Sequence, residues 1–193
     1  MPNKYVFDKI THPIYDVLLN TYASPGIIGP PESDASKSGA LFASSAQNSG
    51  TLSVLGGSVN ITLQVANNSA NTTMYVSSIT GGIGVALNLL SSFTGSFTLS
   101  SGGTLTTPTT LTPVNTNFAS SNTSSMTARS STAAPTGATT VLTSPITNNF
   151  QFMVNFTGGI IVPPTRSITL NVIGTLSVAG TVTSAANIIW WEI

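Results

Sequence analysis

Between Ser38 and Trp191 the chain carries two charged side chains, Arg129 and Arg166. That stretch is long enough for a whole domain. An ordinary soluble domain is about 25% charged, whereas this chain is 5% charged with a formal net charge of +0. Solvation must come instead from 27 Ser and 30 Thr. A neutral surface has no net repulsion to keep copies apart, so the composition predicts a chain that packs against copies of itself. Hydrophobic residues make up 40% of the sequence, enough for a core. Disorder, which needs low hydrophobicity with high net charge, is therefore not expected.

The same composition excludes whole classes of chemistry. With no cysteine, disulfides, thiolate metal sites and cysteine nucleophiles are absent. Five scattered cations cannot form the basic cluster that neutralises phosphates, so nucleic acid is not an expected partner. His12 is the one imidazole, and it sits beside a proline among the charges of the N-terminal region. Asp8, Asp16, Glu32 and Asp34 share that region and leave the rest of the chain only Glu192. A catalytic triad, a carboxylate pair or an oxygen cage for a metal would lack its parts. The expectation is a protein that is not an enzyme and holds no cofactor and no metal. Thr80-Gly81-Gly82-Ile83-Gly84 lacks the lysine of a phosphate loop and reads as a hairpin turn. No apolar run approaches the length of a membrane span, and Lys4, Asp8, Lys9 and Asp16 interrupt the first twenty residues. Neither membrane insertion nor a secretory leader is expected. Asn60, Asn67, Asn71, Asn122 and Asn155 begin Asn-X-Ser/Thr triplets, a number close to chance in so Asn-, Ser- and Thr-rich a chain.

Seven of the ten formal charges, the histidine and five of the eleven prolines fall in residues 1–37. The chain accordingly divides into an N-terminal arm with a Pro/Gly hinge, residues 1–37, and a body, residues 38–193. The arm holds two apolar patches, Tyr5-Val6-Phe7 and Ile14-Tyr15-Asp16-Val17-Leu18-Leu19. Residues 13–22 could form two helical turns, and the prolines of 24–31 forbid a central strand or helix there. Apolar side chains without a core of their own must be buried elsewhere, on the same body or on a neighbouring subunit. Tyr5, Val6, Phe7, Ile14, Tyr15, Val17 and Leu18 are the expected subunit contacts.

From residue 39 onward the pattern is that of strands. Residues 58–65, 82–89, 149–156, 166–172 and 175–178 alternate polar and apolar side chains at period two. Residues 40–46, 73–79, 93–99, 109–118, 125–132 and 186–193 are further candidates. Glycine pairs beginning at Gly56, Gly81, Gly102 and Gly158, with the segments 67–71 and 134–137, supply turns at the spacing of a sandwich or barrel. The prediction is all-β: eight to eleven antiparallel strands in a two-sheet sandwich, a jelly roll first and another Greek-key sandwich second.

Two features remain as candidate sites. Trp190 and Trp191 lie in a closing strand whose alternate side chains enter the core, so that one tryptophan faces outward as an aromatic contact for a partner or a sugar, or fills the sheet edge. Arg129 and Arg166, alone in an uncharged body, are expected to pair structurally with Glu192 or with carboxylates of the arm.

A cysteine-free body of short Ser/Thr/Asn strands behind an N-terminal arm, with the runs 67–79 and Gly159-Ile160-Ile161-Val162-Pro163-Pro164, resembles the jelly-roll subunits of bacterial surface fibres, especially endospore appendage and exosporium-layer proteins. It is also similar to bacteriophage head-decoration and fibre domains. The resemblance implies a self-assembling structural protein on a spore surface or a virion. Its arm would dock on the next subunit to build a homo-oligomeric filament or layer, held without covalent links. The alternative is a virion module that binds a receptor or a carbohydrate.

Overall fold

The computed structural model describes residues 30–87 and 90–193. The expected contacts Tyr5, Val6, Phe7, Ile14, Tyr15, Val17 and Leu18, and the helix expected over 13–22, lie outside the described residues. The described chain is one short helix and eleven strands: α1 (Pro31–Lys37), β1 (Leu41–Leu52), β2 (Gly57–Asn67), β3 (Met74–Leu87), β4 (Phe93–Ser101), β5 (Thr109–Leu111), β6 (Val114–Asn115), β7 (Met126–Ser131), β8 (Thr139–Ile146), β9 (Phe150–Val162), β10 (Ser167–Leu176) and β11 (Gly180–Glu192). They form two antiparallel sheets, β6-β1-β11-β3-β9 and β5-β7-β2-β10-β4-β8.

The pairing is nested. β1 pairs with β11, β2 with β10, β3 with β9 and β4 with β8, each antiparallel. The chain thus runs as a long ribbon that folds back on itself and coils, placing alternate ribbon segments in opposite sheets. That winding is a jelly roll, as the sequence predicts.

Pleating explains the layer between the sheets. Along β11 Val182, Ser184, Ala186, Ile188 and Trp190 are buried, while Thr181, Thr183, Ala185, Asn187 and Ile189 take the other face, because successive side chains of a strand point to opposite sides. Leu63, Val65, Ile79, Leu99, Leu170 and Val172 join the same core from the other strands. Burying each such side chain fully contributes about 1.5–3 kcal/mol. Phe97 of β4 stacks on Phe152 of β9 across the layer, with centroids 4.1 Å apart.

Several expectations change. Gly81 and Gly82 form no hairpin turn; β3 runs straight through them, because their bare Cα atoms admit neighbours. A Cβ on Gly81 would come within 2.7 Å of the Phe152 ring and 2.4 Å of the Ala185 carbonyl oxygen. Gly158 and Gly159 likewise lie inside β9, where Val76 pairs with Ile160 and Ser78 with Asn155. The unequal spacing is a bulge, with Thr157 and Gly158 at positive φ. The two strands expected over 166–178 are one strand, β10, and β8 answers to no expected strand.

The boundary at residue 37 also moves. Pro31 opens α1, where a missing N–H costs nothing, and Glu32, Asp34 and Lys37 complement the helix dipole. Gly39, at φ 71, ends it: Gly39 donates to the Ser36 carbonyl and Ala40 to that of Ala35, a Schellman closure. Ala35 packs with Leu41 and Trp191 in a small second core. Residues 31–37 therefore belong with the sandwich, within the compact unit Pro31–Ile193.

Candidate functional site

The two lateral sides of the sandwich differ. On one, the excursion between β4 and β8 adds β7 and then β5 beyond β2, and β6 beside β1. It also folds over the outer face of β2 and β10. Gln64 Nε2 donates to Thr169 Oγ1 (2.9 Å) and to the Gly103 carbonyl (2.8 Å), and Thr169 Oγ1 donates to the Gly102 carbonyl (2.7 Å). Asn171 Nδ2 donates to Thr62 Oγ1 (2.8 Å), which donates to the Ala133 carbonyl (2.7 Å). A layer of buried, uncharged hydrogen bonds fastens the excursion.

Among the described residues the other side is open. β8 and β9 are the outermost strands of their sheets there. Pro145 removes one donor from β8. β9 offers a long edge with no charged residue; Phe152 and Val162 are buried and Val154, Phe156 and Ile160 pack on the core, but three apolar side chains are turned outward: Phe150 is 47% exposed, Met153 65% and Ile161 57%. Val141 of β8, beside the bulge in its pairing with β4, is 57% exposed. Two depressions adjoin this side. A trough of about 710 Å³ on the outer face of β3, β9 and β11 has Gly82, Gly84 and Ala185 as its floor and Gln151, Met153 and Asn187 as its walls. A groove of about 380 Å³ lies where β8, β9 and β10 meet around the end of β4, lined by Val141, Ile160, Ile161, Pro163 and Ile168 and by Ser100, Ser101 and Ser167, with Arg166 also on its wall.

Arg166 is placed by an elaborate turn. Asn67, fully buried, donates its backbone N–H to the Arg166 carbonyl (2.8 Å) and accepts the Thr165 N–H (2.9 Å). Its side-chain amide donates to the carbonyls of Thr72 (2.8 Å) and Val162 (2.9 Å). Thr165 sits at φ 66, a conformation a β-branched residue adopts only when its surroundings impose it. Asn67 is thus a structural anchor beneath the groove, and its triplet is not a surface acceptor.

The other candidate residues fall elsewhere. Glu192 pairs with neither arginine, a correction with a local cause: its Oε1 accepts from Ser124 Oγ and from Trp190 Nε1 (2.9 Å), and its Oε2 from the Ser125 N–H (2.8 Å). Arg129 is exposed on β7, and among the described residues the ion pair is Lys37 with Asp34, on the surface. Trp190 is wholly buried, and Trp191, on the opposite face, is covered within the small core of α1 and stacks on Tyr75. Neither offers an aromatic contact to a partner. Among the described residues no group of three His, Asp or Glu is placed to hold a metal, and no helix is long and apolar enough to cross a membrane. The open side itself went unnoticed in the sequence, although a strand with three phenylalanines, a methionine and no charge was a visible signal. No family model, curated protein or solved structure matches the chain.

Proposed function

We propose that this protein is a self-assembling structural subunit of a surface fibre, appendage or coat layer, such as those of a spore or a virion, in which the N-terminal arm of one copy docks on the open side of the next. One observation carries the reading: β9 is a long, uncharged edge with three apolar side chains, Phe150, Met153 and Ile161, turned to solvent. Sheet edges that must stay single are shortened, charged or covered. An edge kept long and uncharged is suited to strand addition, which supplies backbone hydrogen bonds without ionic contacts. A head-to-tail contact of this kind does not close on itself and extends into filaments.

Removal of residues 1–30, leaving α1 in place, tests it. The expected product melts like the full chain yet sediments as a monomer and shows no filaments by electron microscopy. A truncated chain that still polymerises, or a full chain that is monomeric at high concentration, refutes the reading. A second reading, a module that reads sugar hydroxyls, is favoured by the trough, whose walls include Gln151 and Asn187, the latter with its amide nitrogen donating to Thr80 Oγ1. Glycan binding by a monomeric full chain would put it first.

A further inference from the structure

We infer that the groove where β8, β9 and β10 meet receives residues 14–19 of a second copy, with Asp16 of the incoming segment against Arg166. The inference rests on the arm-docking reading above and specifies its site.

Charge bookkeeping points to the pair. The chain has five carboxylates. Asp34 faces Lys37, Glu192 is held by Ser124, Ser125 and Trp190, and Glu32 is turned into the body beneath α1, where Oε1 accepts from Ser77 and Oε2 is buried without a partner among the described residues. Asp8 and Asp16 remain, both in the arm. Among the described residues neither Arg129 nor Arg166 lies against a carboxylate, and of the two only Arg166 borders an apolar groove. The occupant must therefore be apolar with one embedded negative charge. Ile14-Tyr15-Asp16-Val17-Leu18-Leu19 has that pattern. Tyr5-Val6-Phe7-Asp8 does not, because Lys9 follows it at once and would bring a like charge to Arg166.

The groove suits such a segment. Val141, Ile160, Ile161, Pro163 and Ile168 make its lining mostly apolar beside Ser100, Ser101 and Ser167, and about 380 Å³ is room for a few aliphatic side chains. The Arg166 guanidinium can take a carboxylate through two parallel N–H donors. Its backbone is already fixed by Asn67, which lowers the ordering cost of docking.

Two single variants, Asp16→Arg and Arg166→Asp, decide it in the full chain, read by sedimentation velocity with thermal melts as the control for folding. Each alone is expected to associate about tenfold more weakly or worse, since a charge pair becomes a repulsion, with unchanged melting. An equimolar mixture of the two is expected to assemble, because each arm then finds a groove of opposite charge on the other variant. Wild-type association by both single variants overturns the inference; if removal of residues 1–30 still abolishes assembly, the arm docks elsewhere and the assembly reading survives. Rescue in the double variant without rescue in the mixture shows a contact within one copy and also overturns it. Capture of a different protein by the groove, undisturbed by either substitution, does the same.

Discussion

Trp191 lies on Tyr75 with ring centroids 5.6 Å apart and planes 8° from parallel, while its neighbour Trp190 points through the same strand into the opposite core. The two tryptophans therefore report on different layers. Trp190→Ala should cost about 3–5 kcal/mol, the usual loss for a large side chain removed from a packed interior. Trp191→Ala forfeits a stacked pair worth about 0.5–1.5 kcal/mol beyond its buried area and frees α1, leaving the sandwich intact. Denaturant melts, with proteolysis near residue 37 as a second readout, separate them. Equal losses of midpoint would mean that the two layers melt as one.

Gly81 and Gly84 lie three residues apart in β3 and should respond oppositely. A side chain at Gly81 meets the Ala185 carbonyl and the Phe152 ring, whereas a Cβ at Gly84 has nothing within 4 Å. Gly81→Val should cost about 1–3 kcal/mol by overpacking. Gly84→Ala should stay within about 0.5 kcal/mol of the parent. Thermal melting of the two variants checks this, and a tolerant Gly81 would mean that β3 can shift away from β9.

Asn67 supplies the next test. Asn67→Ala removes the donors to the Thr72 and Val162 carbonyls, leaving two enclosed acceptors unpaired at a cost of about 1–3 kcal/mol. The turn that carries Arg166 should loosen with it. Hydrogen exchange at the backbone amides of Thr165 and Arg166 is expected to quicken well before the core strands do. Protection unchanged at those two amides would show that Pro163 and Pro164 hold the turn without Asn67.

The sequence showed the fold more plainly than the site, for physical reasons. Burial on one face imprints period two on β9 and β11, and positive φ imprints glycine at Gly56, Gly102 and Gly137, so strands and turns were readable locally. β10 and β2 gave a blurred signal of depth because the excursion buries Gln64, Thr62, Thr169 and Asn171 on the face that alternation marks as exposed. β8 was missed because Pro145 interrupts it. Gly81 and Gly82 misled because glycine serves close packing as well as turns. The open side was unreadable for a different reason: which strands end a sheet depends on how the ribbon winds, and no local window contains that.

The layer beneath the excursion yields the last prediction. Thr169 Oγ1 both donates to the Gly102 carbonyl and accepts from Gln64 Nε2, so Thr169→Val keeps the shape of the side chain and removes both links. Buried groups left without partners cost about 1–3 kcal/mol in total, and Gln64 retains only its bond to the Gly103 carbonyl among its close contacts. Because these bonds tie residues 102–138 to the outer face and contribute nothing to the packing between the sheets, the loss should be local. Limited proteolysis is expected to cut within 102–138 several times faster while the remaining sandwich stays folded and protected. If Thr169→Val instead lowers the cooperative melt with no change in the cleavage pattern, the excursion is held by β5, β6 and β7 and the polar layer is part of the sandwich's own stability.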